Sequence, residues 1–309
     1  MTFGFFKIVC AVASIAANMT LISPASADQA ERTPPSLAPL LTDANWCLRL
    51  PKESVVSYSG VVSFDNAGTN SPSMLYPAPG GIAGFLVSVI THSVIVDSAK
   101  KNQKNQLQLD ADKVLLPYQE ILNTYTHKQL MQRGLEKGGA ASGKRLIEHA
   151  DKVETEWYIE STPIFSLTQD QNAIILENAI SIFAANAPTE PAYQNTVRVV
   201  STAQQRETPA TYWMANHGEK LKDESASLFA ESLSLVFNDL AIGASKEGNP
   251  HKTIRYLEGD NEKIERGQIM REQCNRVVFK SLRGWLMSVP DRRSQTNPQQ
   301  CDDKLNRRL

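Results

Sequence analysis

The chain has few cysteines and almost no net charge. Its 309 residues include 4 cysteines, and 32 lysine and arginine residues nearly balance 33 aspartate and glutamate residues. This balance removes the electrostatic case for nucleic-acid binding, which needs a clustered excess of basic residues. The cysteines and histidines also lack the CxxC and HxxxH spacings of metal sites. We therefore expect no nucleic-acid partner, no bound metal and no cofactor.

The motifs of common catalytic sites are missing or incomplete. The stretch from Gly138 to Lys144 matches part of a phosphate-binding loop, but Arg145 stands where serine or threonine would bind magnesium. Ser142 lacks the first glycine of a Gly-x-Ser-x-Gly nucleophile elbow. The sequence therefore predicts no catalytic residues and favours a protein without enzymatic activity.

The N-terminus has the layout of a secretory signal. Lys7 precedes an apolar core from Ile8 to Ile22, and Ala25-Ser26-Ala27 supplies the small residues that a signal peptidase requires. This pattern predicts a cleavable signal peptide over 1–27 and a periplasmic or secreted protein. An uncut membrane anchor is the alternative, but the apolar core is shorter than the roughly 20 residues of a membrane span.

Three cysteines remain after the predicted cleavage. An oxidising compartment outside the cytoplasm favours a disulfide, and three cysteines allow three single pairings. We favour Cys274–Cys301, which would attach the polar tail 291–309 to the rest of the protein. Cys47 paired with either of the other two is the alternative.

The most apolar run of the mature chain extends from Ile82 to Val96, fifteen residues without a formal charge. Its apolar residues recur at helical spacing and also occupy other faces, which is typical of a helix buried on all sides. Burial inside the fold is our main expectation, with a partner or second copy, or a membrane, as alternatives. Its candidate partner-binding residues are Ile82, Phe85, Leu86, Val89 and His92.

Hydrophobic periodicity predicts an α+β fold. Helical patterns cover 82–136, with Thr126 and Gln129 forming a capping box. Strand patterns dominate from 153 onward and also occur at 53–64. We expect a helical N-terminal half with a buried apolar helix, and an antiparallel sheet in the C-terminal half packed against one long helix at 217–242.

The same patterns divide the chain into four parts. The signal peptide and an extended, proline-containing leader precede the folded domain, and a polar tail follows it. The predicted boundaries are 1–27 for the signal peptide, 28–52 for the leader, 53–290 for a single α+β domain and 291–309 for the tail.

Two short stretches, 75-LYPAPGGIAGF-85 and 110-DADKVLLPYQEIL-122, resemble exported bacterial cell-envelope proteins of uncharacterised families. The resemblance implies an envelope location and no particular chemistry. We therefore expect a periplasmic, non-enzymatic accessory protein that binds another envelope protein or itself. The alternatives are an envelope-acting hydrolase whose site only the fold assembles, and a membrane-associated protein that uses the helix 82–96.

Overall fold

The structure, a computed structural model, describes residues 46–62, 98–138, 145–204, 206–242, 250–272 and 275–292. All of them belong to one compact unit, residues 35–309. Ten strands within these described ranges join into a single sheet. The strands are β1 (Trp46–Arg49), β2 (Ser57–Gly60), β3 (Arg145–Ile147), β4 (Trp157–Leu167), β5 (Ile174–Ala184), β6 (Tyr193–Val200), β7 (Lys252–Glu258), β8 (Asn261–Glu272), β9 (Arg276–Ser281) and β10 (Leu286–Pro290).

The sheet is mixed, so the predicted antiparallel sheet is wrong. Its strand order is β3-β1-β4-β5-β6-β10-β9-β8-β7, with β2 paired to β4 off this path. β1 runs parallel to β3 and β4, β2 runs parallel to β4, and β6 runs parallel to β10. Leu286 of β10, for example, pairs with Val197 of β6. Alternating hydrophobicity identifies a strand but does not identify a partner strand that is distant in the sequence. The prediction failed for this reason.

The predicted helical N-terminal half is also wrong. β1 and β2 both enter the sheet, where Trp46 pairs with Trp157 and Ser57 with Ile164. β1 falls inside the stretch 28–52 that the sequence analysis assigned to a leader. β1 has only four residues, too few for alternation to stand out, whereas β2 lies within the strand predicted at 53–64. The apolar stretch 82–96 lies outside the described residues, so its predicted burial in a helix stays a prediction.

The helices follow local sequence signals closely. Thr126 caps the third α-helix through a capping box with Gln129, which confirms that prediction. Pro117 lies in a 3-10 helix between the first two. No helix formed by the described residues is long and apolar enough to cross a membrane. The helices are α1 (Ser98–Ala111), the 3-10 helix (Asp112–Tyr118), α2 (Gln119–Leu122), α3 (His127–Lys137) and α4 (Pro209–Ile242).

Helix α4 is interrupted near its start. Ala215 is extended, and Asn216, His217 and Gly218 all have positive φ angles, so the long helical part begins at Glu219. At Gly218, φ is +77°, and a Cβ atom there would meet the Ile121 side chain at 2.7 Å. Glycine suits this position because it adopts a positive φ easily and leaves room for the neighbouring chain. The long part corresponds to the helix predicted over 217–242.

We call the side of the sheet that faces α4 the first face. Alternate residues of β4 and β5, such as Ile159 and Ile180, point to this side and are buried. From α4, Phe229, Leu233 and Val236 pack against them, and this stripe is the one that helical spacing indicated. α3 and the 3-10 helix complete the cover, and the result is the main hydrophobic core.

The other side is the second face, and the β7–β8 hairpin bends back towards it. The Asp170 carboxylate, in the turn between β4 and β5, accepts hydrogen bonds from the Thr168 hydroxyl at 2.5 Å and from the Asp260 backbone N–H at 2.6 Å. Gly259 allows this approach, because a Cβ atom there would lie 2.3 Å from the same carboxylate. The turn contact thereby fixes β7 near β10 and β6.

Candidate functional site

The second face carries two apolar clusters with polar residues between them. The first cluster, at the β1 end, consists of Cys47, Ile147, Tyr158 and Phe183. The second lies under the β7–β8 hairpin. Between them is a set that we call the polar strip, because its members alternate with first-face core residues along β1, β4, β5 and β6. It comprises Arg49, Glu160, Thr162, Glu177, Ser181, Thr196 and Arg198.

Strand register sets the order of residues across the strip. Glu160 pairs with Ser181, while Ala179 lies between Thr162 and Thr196 in the next row. Ala179, Ser181 and Thr196 are short and buried, whereas Glu160 and Thr162 are half-buried. The Ser181 hydroxyl has no hydrogen-bond partner among the described residues. The strip thus has short side chains at its centre and charged side chains at both ends.

An ion pair closes the strip at the β1 end. Arg49 donates from Nη1 to Glu160 Oε1 at 2.9 Å. The same guanidinium lies over the Tyr158 ring, 4.3 Å from its centroid, and that ring stacks on Phe183. Burial, reinforced by the Glu160 charge, raises the pKa of Tyr158 above its usual value. This end therefore combines a fixed cation with two stacked aromatic rings.

A three-residue charge network closes the other end. Arg198 donates from Nη2 to Glu258 Oε1 at 2.7 Å and from Nη1 to the Glu177 carboxylate. The Tyr256 hydroxyl donates to the same Glu258 oxygen at 3.3 Å. Burial disfavours the arginine charge, but the two carboxylates outweigh it and raise the pKa of Arg198. Glu258 comes from β7, so the turn contact of Asp170 positions this end of the strip.

The charged groups of the strip are engaged with one another. Glu160 accepts a hydrogen bond from Arg49, and Glu177 accepts one from Arg198. The strip contains no histidine. Across the described ranges, no group of three histidine, cysteine, aspartate or glutamate residues is arranged to hold a metal ion. What the strip offers a ligand is hydrogen bonding and fixed charge.

Most of the predicted site residues fall outside the described part of the chain. This holds for Ile82, Phe85, Leu86, Val89 and His92, and also for Cys274 and Cys301. The Cys274–Cys301 disulfide accordingly stays a prediction. Cys47 is fully buried with a free thiol, and its sulfur accepts a hydrogen bond from the Thr155 hydroxyl at 3.1 Å.

Sequence analysis missed the polar strip, although a signal for it existed. The strand sequences IILENAISIFA and YQNTVRVV each contain one charged residue, Glu177 and Arg198, which pair in register. A single charge inside an apolar strand is unusual, and opposite charges in two successive strands indicate a pair across the hairpin. Glu258 carries no such signal, because its role depends on how the sheet bends.

Comparison with protein-family models, with curated proteins and with solved structures gives no match to this chain. The polar strip is therefore interpreted from its own geometry.

Proposed function

We propose that this protein is an exported, non-enzymatic accessory protein that binds another component of the cell envelope through the polar strip. The observation that carries the proposal is the pair of charge clusters, Arg49–Glu160 and Arg198–Glu177–Glu258, on either side of short hydroxyl side chains. Charged groups bonded this firmly keep their positions, and fixed groups lose little entropy on binding.

Energetics supports a role for the strip other than stability. A buried ion pair loses solvation that its own attraction barely offsets, and apolar residues of similar volume would stabilise the sheet as well or better. The neighbouring positions along β4 and β5 are mostly apolar, so the fold accepts apolar residues there. The charges on the second face are consistent with recognition of a polar partner.

The predicted export signal at 1–27 supports the envelope location. The candidate partners are a second envelope protein and a second copy of this chain, as the sequence analysis expected. Both would meet the half-buried side of the strip along β4, where Glu160 and Thr162 lie.

Site-specific photocrosslinking in intact cells tests the proposal. A photoreactive amino acid replaces Thr162 in the strip, and the matched control replaces Lys113, an exposed residue of the 3-10 helix. We expect a defined crosslinked product from position 162 and none from position 113, with the protein recovered in the periplasmic fraction. A cytoplasmic location, or equal crosslinking from both positions, would refute the proposal.

A further inference from the structure

Beyond the edge of the helical layer, the first face of the sheet continues onto the β7–β8 hairpin, where none of the described helices covers it. Two aliphatic side chains stand out there: Ile264 is 56% exposed and Leu282 is 61% exposed. Leu257, on the same side of β7, is half-buried. Exposed aliphatic residues grouped on one surface mark a contact site more often than scattered ones do.

Strand pairing brings these residues together. Arg255 pairs with Ile264, and Thr253 pairs with Arg266. The Leu282 backbone N–H donates to the Arg266 carbonyl at 3.1 Å, which continues the β8–β9 ladder by one residue. Side chains directly opposite on antiparallel strands share a face. Ile264 and Leu282 are therefore neighbours, with arginine beside each; we call Arg255, Ile264, Arg266 and Leu282 the hairpin patch.

The charge of the patch is positive. Arg255 and Arg292 both approach Glu262, at 3.7 Å and 2.6 Å, so two cations share one carboxylate. Arg266 is exposed and makes no ion pair with any described residue. The net excess of arginine selects an anionic partner and disfavours a second copy, whose identical patch would repel this one.

The turn after β9 adds the features of a membrane-interface contact. Leu282 lies at the tip, and the Arg283 guanidinium lies 5.6 Å from the centroid of the Trp285 ring. Trp285 is half-buried against the second apolar cluster. Gly284 has a φ of +82° and open space around its Cα, so the turn projects from the fold. Trp285 thus faces the opposite side of the sheet from the hairpin patch and takes no part in it. Arginine beside exposed aliphatic side chains is typical of protein surfaces at the lipid headgroup level.

We propose that the hairpin patch and the adjoining turn dock on an anionic phospholipid surface. Arg255 and Arg266 contact the lipid phosphates, while Ile264 and Leu282 enter the headgroup region. An acidic protein would satisfy the arginines equally well, but the two projecting aliphatic side chains lack the aromatic centre of a protein interface. This inference involves neither the polar strip nor the stretch 82–96, and it stands independently of the proposed function.

Vesicle flotation tests the proposal with the purified mature chain. We expect the protein to float with phosphatidylcholine vesicles that contain phosphatidylglycerol, to float poorly with phosphatidylcholine alone, and to dissociate at high salt. Arg255→Gln with Arg266→Gln should weaken binding roughly twenty-fivefold, since each arginine near the surface contributes roughly fivefold. Leu282→Ser should weaken it about tenfold.

Two control variants each remove one exposed residue of the same type elsewhere on the surface. Leu116→Ser removes an exposed leucine, 66% exposed, from the 3-10 helix. Arg206→Gln removes one exposed arginine that lies over the Tyr212 ring. Both should bind vesicles as the wild type does. The proposal fails if anionic vesicles do not float the protein, if both controls lose binding as the test variants do, or if Leu282→Ser instead abolishes a dimer seen by ultracentrifugation.

Discussion

On the first face of the sheet, Phe229 and Leu233 of α4 pack against a continuous layer of isoleucine, leucine and valine side chains. The second face instead divides its apolar residues into two clusters and places charged residues between them. Both faces bury polar groups, which differ in how completely they are hydrogen-bonded. The contrast distinguishes polar groups whose hydrogen bonds support the packing from polar groups whose burial costs free energy.

On the first face, three neutral polar residues form a connected chain, and Arg276 of β9 pairs with Glu231 of α4 at 3.0 Å. The Ser161 hydroxyl donates to Asn178 Oδ1 at 2.7 Å, and Asn178 Nδ2 donates to the Ser232 hydroxyl at 2.9 Å. Ser232 in turn donates to the Phe229 carbonyl of α4 at 2.7 Å. This chain of hydrogen bonds fixes α4 against the sheet at a low cost in free energy, because each of its buried groups has a partner. On the second face, by contrast, the Ser181 hydroxyl has no partner within the described part of the chain, and charges are desolvated.

Removing Arg198 should give the largest effect. Arg198→Met leaves the buried Glu258 without its cation, so we expect the free energy of unfolding in urea to fall by about 3–5 kcal/mol. Arg49→Met breaks the more exposed pair and should cost about 1 kcal/mol or less. The double variant Arg198→Met/Glu258→Gln should recover most of the loss. If Arg49→Met were as damaging as Arg198→Met, the distinction between the two ends of the strip would be wrong.

A matched pair of serines compares the two faces directly. Ser161 and Ser181 are both buried, but only the hydroxyl of Ser161 is bonded to a described group. Ser161→Ala leaves the Asn178 oxygen unsatisfied and should cost about 1–2 kcal/mol in thermal or urea unfolding. Ser181→Ala removes an unpartnered hydroxyl and should leave stability unchanged or slightly higher. Equal losses in the two variants would contradict this account of the second face.

The smallest effect is a pH dependence centred on His127, the first residue of α3. Its Nδ1 lies 2.8 Å from the Glu53 carbonyl oxygen, and its buried Nε2 has no partner among the described residues. Burial lowers the pKa of His127 below 6.5, although the Glu53 carbonyl and carboxylate oppose the shift. The unfolded chain therefore binds this proton more tightly than the folded chain does.

Stability from His127 is consequently complete above pH 6.5 and decreases as the pH falls from there towards the lower pKa of the folded state. His127→Gln keeps a donor for the Glu53 carbonyl and cannot be protonated, so its stability should vary less over this window. Urea unfolding from about pH 8 to about pH 5 measures the difference. Parallel curves for the two proteins would show that His127 is not the responsible group.

Local sequence patterns predicted the elements better than their arrangement. The strand patterns from 153 onward and the capping box at Thr126 depend on neighbouring residues, and the structure has both. The charged segment 262–272, whose pattern fits either a helix or a strand, lies within β8. The predictions of an antiparallel sheet and of a helical N-terminal half were wrong because both depend on which distant segments of the chain pair.

Of the candidate site, only the Glu177–Arg198 pair could have been predicted, since β5 and β6 are consecutive strands that each contain one charge, of opposite sign. Arg49 and Glu258 reach the strip from β1 and β7, which lie far from β5 and β6 in the sequence. No local sequence pattern predicts that Arg49 and Glu258 reach the polar strip. The hairpin patch joins the consecutive strands β7, β8 and β9, but its exposure depends on which surfaces the rest of the fold covers.

The sequence by itself determined where strands, turns and helix caps form, because periodicity and capping act over a few residues. Only the tertiary structure decided that β1, β2 and β10 pair in parallel with their neighbours, since such pairing joins segments separated by long crossover connections. It also decided which charges are buried. The cost of a charge depends on the atoms packed around it, and those atoms come from segments distant in the chain.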